Sequence, residues 1–273
     1  MFPRILQLGG FTLHTYGLLV VLGYGAGLWL ATRQARRVGL DANRILDLGI
    51  FMALAAVLGS KVLMLVEDWK YYSANPSSIF TVATLQAAGV FYGGFLGALL
   101  AAAWYIRRHR MQFLQTADVF VPGLLLGHAI GRMGCFAAGC CWGRPSSLPW
   151  AVTFSDLYAH DLVGVPLGIP LHPAQLYEVA TLLLLWAIVM RVARRDVFPG
   201  QLLSLYLILY GVARFALEFA RDRAGSQMPF GLLSLSQLLA VLMAPAGVWL
   251  WFNCAPRGAR NMPATPDGRR QNA

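Results

Sequence analysis

Long apolar runs, broken at near-regular intervals by short basic or proline-rich stretches, dominate the chain. They fall at about residues 13 to 32, 46 to 66, 89 to 106, 117 to 134, 174 to 190, 200 to 220 and 231 to 252. Each approaches the ~20 residues that a helix needs to cross a bilayer core. The pattern predicts an all-α polytopic membrane protein with about seven transmembrane helices. The first run reads as a span and not as a cleaved leader, because charge follows it and no clean small-residue cleavage site does. The longest external connection, residues 135–171, holds Pro145, Pro149, Pro166, Pro170 and the polar pair Ser155-Asp156. It is expected to form an ordered periplasmic cap between helices four and five. Residues 1–254 make one membrane domain, and 255–273, with too few apolar side chains to fold, make a disordered cytoplasmic tail.

Composition agrees: 58% of the 273 residues are hydrophobic and 12% charged, with a mean hydropathy of +0.57. A soluble domain carries about twice that charge. The net charge of +10 sits on alternate loops. Arg33, Arg36, Arg37 and Arg44 follow run one, Arg107, Arg108 and Arg110 follow run three, and Arg191, Arg194 and Arg195 follow run five. Arg257, Arg260, Arg269 and Arg270 follow run seven. Those loops are read as cytoplasmic, with the N-terminus outside and the C-terminus inside. Short basic loops without aromatic interleaving or a folded basic surface argue against a nucleic-acid partner.

This topology gathers unusual polar residues at one depth. Tyr16, Tyr92, Arg132, His172, Arg214, Glu218 and Arg221 all fall at outer span ends, where one outward-facing cavity is expected. Arg132 closes run four within Gly127-His128-Ala129-Ile130-Gly131-Arg132-Met133-Gly134-Cys135. A guanidinium at a membrane boundary stays charged and grips phosphate through a planar fork of donors, and a lipid headgroup is the phosphate at hand. Tyr210, Arg214 and Glu218 follow one another at four-residue spacing and share a helix face. Glu218 either neutralises Arg214 or orients it toward a ligand. Arg221 adds a further cation. His128, one turn before Arg132, is either a packed structural residue or an acid–base group. Asp118 lies ~21 Å down the same helix and is expected to serve that helix's own N-terminal dipole. Cys135-x4-Cys140-Cys141 lacks paired histidines and is a poor zinc pattern, so no metal is expected. One disulfide from Cys135 to Cys140 or Cys141 is expected instead, and Cys254 is a free thiol.

Taken in order, Leu13-His14-Thr15-Tyr16-Gly17, Tyr92-Gly93-Gly94, Gly131-Arg132-Met133-Gly134, Trp142-Gly143-Arg144, His172-Pro173-Ala174-Gln175-Leu176-Tyr177-Glu178 and Arg214-Phe215-Ala216-Leu217-Glu218-Phe219-Ala220-Arg221 resemble the prolipoprotein diacylglyceryl transferases over about residues 12 to 252. The resemblance implies a multi-pass enzyme of the bacterial inner membrane, its site facing the periplasm. Such an enzyme moves diacylglycerol from phosphatidylglycerol to the lipobox cysteine of a prolipoprotein signal peptide and needs no cofactor beyond the lipid co-substrate. It implies essential roles for Arg132 and Arg214, with Tyr16, Arg144, Glu218 and Arg221 at the lipid. His172 sits in the family's His-Pro-x-Gln-Leu-Tyr-Glu element. Three positions depart from the pattern: many members carry histidine at Tyr92, asparagine at Cys135 and glutamate at Cys140. That histidine is often discussed as the thiol-activating base. Either Tyr92 acts as a tuned phenolate, or His128 or His172 supplies the function. The cysteine-rich turn leaves a membrane thiol-disulfide oxidoreductase as one alternative, and the arginines leave an anionic lipid or solute carrier as another.

Overall fold

The computed structural model describes residues 2–8, 11–81, 84, 89–222 and 233–255. The expected cytoplasmic tail and its arginines lie outside these residues. An antiparallel hairpin of β1 (Arg4–Leu8) and β2 (Phe11–His14) precedes α1 (Thr15–Arg37) and α2 (Ala42–Glu67). A short α3 (Trp69–Ala74) and a 3-10 turn (Pro76–Phe80) lead to α4 (Phe91–Arg108) and α5 (Phe113–Ala138). Next come β3 (Val152–Thr153), α6 (Leu157–Val163) and β4 (Pro170–Leu171). The last helices are α7 (Ala174–Val192), α8 (Gln201–Leu217) and α9 (Leu235–Cys254).

The long helices occupy the predicted apolar runs. Five of them, α1, α2, α5, α7 and α9, are long and apolar enough to cross a membrane. Their apolar side chains point outward: Val57 and Leu58 on α2 are 60% and 66% exposed. The buried set meanwhile includes Asp118, Gln175, Glu178, Arg214, Glu218 and Gln237. A polar interior within an apolar exterior is the arrangement a bilayer demands. The chain is a polytopic, integral membrane protein. The purely helical expectation is corrected by the small sheets, which alternation over only two to five residues left below the helical signal.

Helix α5 is the hub, packed against α1, α7 and α8, while α2 pairs with α4 and α8 with α9. In lipid, helices associate by close packing and not by the hydrophobic effect, so small residues let backbones meet. Gly23 and Gly27 of α1 face Gly127 and Gly123 of α5: a methyl group on Gly27 would sit 2.6 Å from the Gly123 carbonyl oxygen, and one on Gly23 would sit 2.7 Å from that of Gly127. On the other side of α5, Leu125 and Ala129 pack with Leu182, Leu185 and Val189 of α7 and with Leu202 and Tyr210 of α8.

Residues 135–171 fold as an ordered unit. Phe154, Ala159, Val165 and Leu171 form its own buried cluster, roofed by Phe136 and Trp142. The hairpin leans on this unit, with His14 Nε2 2.8 Å from the Tyr158 hydroxyl and the Arg4 guanidinium 4.0 Å above the Tyr158 ring. The unit is closed at its base. Gly143 N–H donates to the His172 carbonyl (3.0 Å) and His172 N–H to that of Arg144 (2.9 Å). On the other edge, Arg144 N–H donates to Ala220 O (3.1 Å) and Trp142 Nε1 to Asp222 Oδ2 (3.2 Å). Gly143 lies between these edges, where a Cβ would come 2.5 Å from the His172 carbonyl oxygen and 2.7 Å from that of Ala220.

Asp118 serves a different helix from the one expected. It lies in the second turn of α5, buried, and its carboxylate accepts from Gly200 N–H (2.7 Å) and Leu203 N–H (2.8 Å) at the start of α8. Gly200 is the N-cap of α8 and has no side chain to cap with. A neighbouring acid therefore satisfies the orphan donors and the dipole. Asp118→Ala is expected to destabilise the protein by about 2 kcal/mol or more, read as a lower melting temperature in detergent, and Asp118→Asn should fall between it and the wild type.

Candidate functional site

A half-buried arginine and a buried one approach one pocket from two helices, each held by its own carboxylate. Near the end of α5, Arg132 Nε lies 3.0 Å from Glu178 Oε2, on the second turn of α7. Toward the end of α8, Arg214 Nη1 lies 2.7 Å from Glu218 Oε2. Glu218 also accepts from Ser234 Oγ at 2.7 Å, and Ser234 is the N-cap of α9 in a capping box with Gln237. The pocket between them is lined by Arg132, Cys141, Ala174, Glu178, Arg214, Leu217 and Arg221. Among the described residues, three guanidiniums face two carboxylates, Glu178 and Glu218, on or directly behind the pocket wall. Such a site favours an anion.

Around Glu178 a network fixes the first pair. The Tyr210 hydroxyl donates to Glu178 Oε1 (3.2 Å), and His128 Nε2 lies 3.5 Å from that oxygen and 3.3 Å from Arg132 Nε. The Tyr210 ring meets His128 edge-on and stacks on Tyr206, with centroids 5.7 and 5.4 Å apart. Arg132 Nε is thereby engaged, and its two Nη groups are the donors that a ligand would meet.

The sequence-derived candidates separate into three groups. Arg132, Arg214 and Arg221 line the pocket, with Glu218 directly behind Arg214 and His128 directly behind Arg132. Tyr16 and Arg144 stand at its margin. Tyr16 packs on α5, where a Cβ on Gly134 would come 3.3 Å from its Cδ2, and Arg144 Nε donates to the Arg221 carbonyl (3.3 Å). His172 and Tyr92 are elsewhere. The His172 Nδ1 is 3.1 Å from the Tyr177 hydroxyl, which accepts from Trp150 Nε1 at 2.7 Å, so the ring belongs to the scaffold at the base of the 135–171 unit. Tyr92 is 56% exposed on α4, its ring against Phe91, and α4 packs on α2. The expected single cavity thus takes in part of the outer-depth set only, because α4 is paired away from α5, α7 and α8.

Glu178, which sequence reasoning did not assign, is the acid that holds Arg132 at the pocket. The available signal was an acid inside an apolar run, which in a membrane calls for a partner. Its partner is on another helix, beyond the reach of i, i+4 spacing.

The cysteine turn is also corrected. Cys135, Cys140 and Cys141 are free thiols, and the Cys140 sulfur also lies 3.7 Å from the Cys135 carbonyl oxygen. Hydrogen bonds from its two neighbours, helped by Arg221 and Arg132, draw the Cys141 thiol below its usual range in spite of burial. The same pairing pushes Cys140 up.

The family model described as prolipoprotein diacylglyceryl transferase matches residues 3–253. The phosphatidylglycerol–prolipoprotein diacylglyceryl transferase of Chromohalobacter salexigens is 36% identical over 256 residues, 91% of this chain and 90% of the relative. That of Nitratidesulfovibrio vulgaris is 34% identical over 273 residues (96% and 98%), and that of Finegoldia magna 32% identical over 243 (88% and 91%). With a match of this length and relatives covered almost end to end, the chain belongs to the prolipoprotein diacylglyceryl transferase family.

Proposed function

We propose that this chain transfers the diacylglyceryl group of phosphatidylglycerol to the lipobox cysteine of prolipoprotein signal peptides, with release of glycerol-1-phosphate. The observation that carries the reading is the pair of carboxylate-held guanidiniums, Arg132 and Arg214, on one pocket with Arg221. In the reaction the cysteine sulfur forms a bond to the glycerol carbon that bears the phosphate. The carbon–oxygen bond to the phosphate breaks, and its electrons leave with glycerol-1-phosphate. The thiol proton passes to a base. Negative charge grows on the leaving phosphate, where preplaced Nη donors stabilise it with little reorganisation. The atoms balance without redox partner or metal.

His128 is the group we assign to accept the thiol proton, in place of the histidine that many members carry at the Tyr92 position. Its ring adjoins both Arg132 and Glu178, whereas Tyr92 lies against Phe91 and His172 against Tyr177. Seven spans, with the pocket on the periplasmic side of the cytoplasmic membrane, complete the reading. Basic last turns on α1 (Arg36, Arg37), α4 (Arg107, Arg108) and α7 (Arg191) support that orientation. The 135–171 unit would then cap the pocket from outside, and the lipid would enter sideways from the outer leaflet.

Purified protein given phosphatidylglycerol and a prolipoprotein peptide should yield a peptide heavier by one diacylglyceryl group and an equal amount of glycerol-1-phosphate. An unmodified peptide, from folded and lipid-bound protein, would overturn the proposal. Arg132→Ala and Arg214→Ala should each lower turnover by about a hundredfold or more; near-normal rates in both would remove the phosphate clamp. Glu178→Gln should lower turnover and melting temperature together, because it strands a buried guanidinium at a cost of about 3–5 kcal/mol. In the pH–rate profile, His128→Ala should abolish the fall in rate on the acid side, and an unaltered profile at unaltered rate would take His128 out of the reaction. His172→Ala should lower stability and leave that limb in place.

A further inference from the structure

The three sulfurs of Cys135, Cys140 and Cys141 all lie within 4.8 Å of one another. Local backbone geometry brings them there. Helix α5 ends in a Schellman motif: Gly139, at φ 76°, donates to Phe136 O (3.2 Å), and Cys140 N–H donates to Cys135 O (3.1 Å). In that motif the side chains of the residue three before the cap position and two after it are brought together, and here they are Cys135 and Cys140. Cys141 then takes a left-handed conformation, φ 60°, which a β-carbon disfavours. That turn sends the third sulfur back to the first two.

The turn is held from both sides. Gln175, 1% exposed in the first turn of α7, donates Nε2 to the Cys140 carbonyl at 2.7 Å. Beyond the turn, Asp222 N–H donates to the Trp142 carbonyl (3.3 Å), and Gly143 bridges Arg221 and His172. A disulfide would account for two of these sulfurs and leave the third unexplained. Three sulfurs bound to one zinc-sized ion at ~2.3 Å stand about 4 Å apart. The widest pair here needs to close by less than about 1 Å.

We propose that Cys135, Cys140 and Cys141 bind one soft, thiophilic cation of the Zn2+, Cd2+ or Cu+ class through three thiolates. Thiolate donors select such ions over hard ones. A four-coordinate ion such as Zn2+ keeps one position for water or a ligand from the pocket, since Cys141 also forms part of the pocket wall. Three thiolates outweigh the charge of one such ion, so occupancy places a net negative cluster beside Arg132, Arg214 and Arg221. On the transferase reading, that cluster competes with the phosphate for these guanidiniums, and occupancy lowers turnover. The spacing that makes a poor zinc pattern in the sequence becomes a three-sulfur site once the helix cap folds the turn back.

Cd2+ is the direct probe, because its thiolate charge-transfer absorption reports sulfur ligation whether or not the protein turns over substrate. Reduced protein in detergent should take up one Cd2+ per chain with that absorption, and should do so also after loading with Zn2+, which the softer Cd2+ displaces. Cys254→Ser should keep the site, while Cys135→Ser, Cys140→Ser and Cys141→Ser, each checked for melting temperature, should lose stoichiometric uptake. No absorption, uptake that follows Cys254, or thiol counts showing the trio already consumed in a disulfide after reduction would each overturn the proposal. Loss of turnover on Cd2+ addition that persists in Cys140→Ser would sever the link to the pocket and leave the binding result standing.

Discussion

A guanidinium inside a membrane protein must carry its counter-charge with it. At the low effective dielectric of such an interior, an isolated cation costs several kcal/mol, and a well-placed carboxylate returns much of that. Arg132 and Arg214 each have one, from α7 and from the end of α8 respectively. The pairing dictates the rest of the arrangement. Glu178 has to reach α5, so α7 packs on α5; Glu218 has to be held, so the Ser234 cap of α9 docks on the end of α8. Arg132 and Arg214 are paired before any ligand arrives, and Arg221 adds a third guanidinium to the pocket wall.

That polar interior is possible because the helices approach closely elsewhere. Where Gly23 and Gly27 meet Gly127 and Gly123, backbone lies on backbone, and α1 clamps the face of α5 opposite the α7 and α8 seam. Helix α5 is thereby fixed along its length. At one end Asp118 reaches out to start α8, and at the other Arg132 reaches out to Glu178. One helix thus sets the position of both arginine-bearing segments.

Much of this was legible in the chain. Apolar runs about the length of a bilayer gave the helices to within a few residues, and four-residue spacing gave the Arg214–Glu218 pair. What escaped has a common physical origin. Glu178, the target of Asp118 and the placement of Tyr92 are all relations between helices, and periodicity within one helix carries no information on its neighbours. The cysteine turn departs from the expected disulfide for a local reason: a cap with two residues in left-handed conformations gathers all three sulfurs, not one pair.

The backbone pairs that join Gly143 and Arg144 to His172 make residues 145–171 an excursion that leaves and returns at one point. Its ends are secured by hydrogen bonds independent of what lies between, and the entropy of closing such a loop grows only slowly with length. The excursion can therefore lengthen, shorten or exchange its surface without displacing Arg132 or Arg214. The excursion and the arginine pocket are then separately variable parts of the chain, one free to drift in length and surface and the other locked by charge.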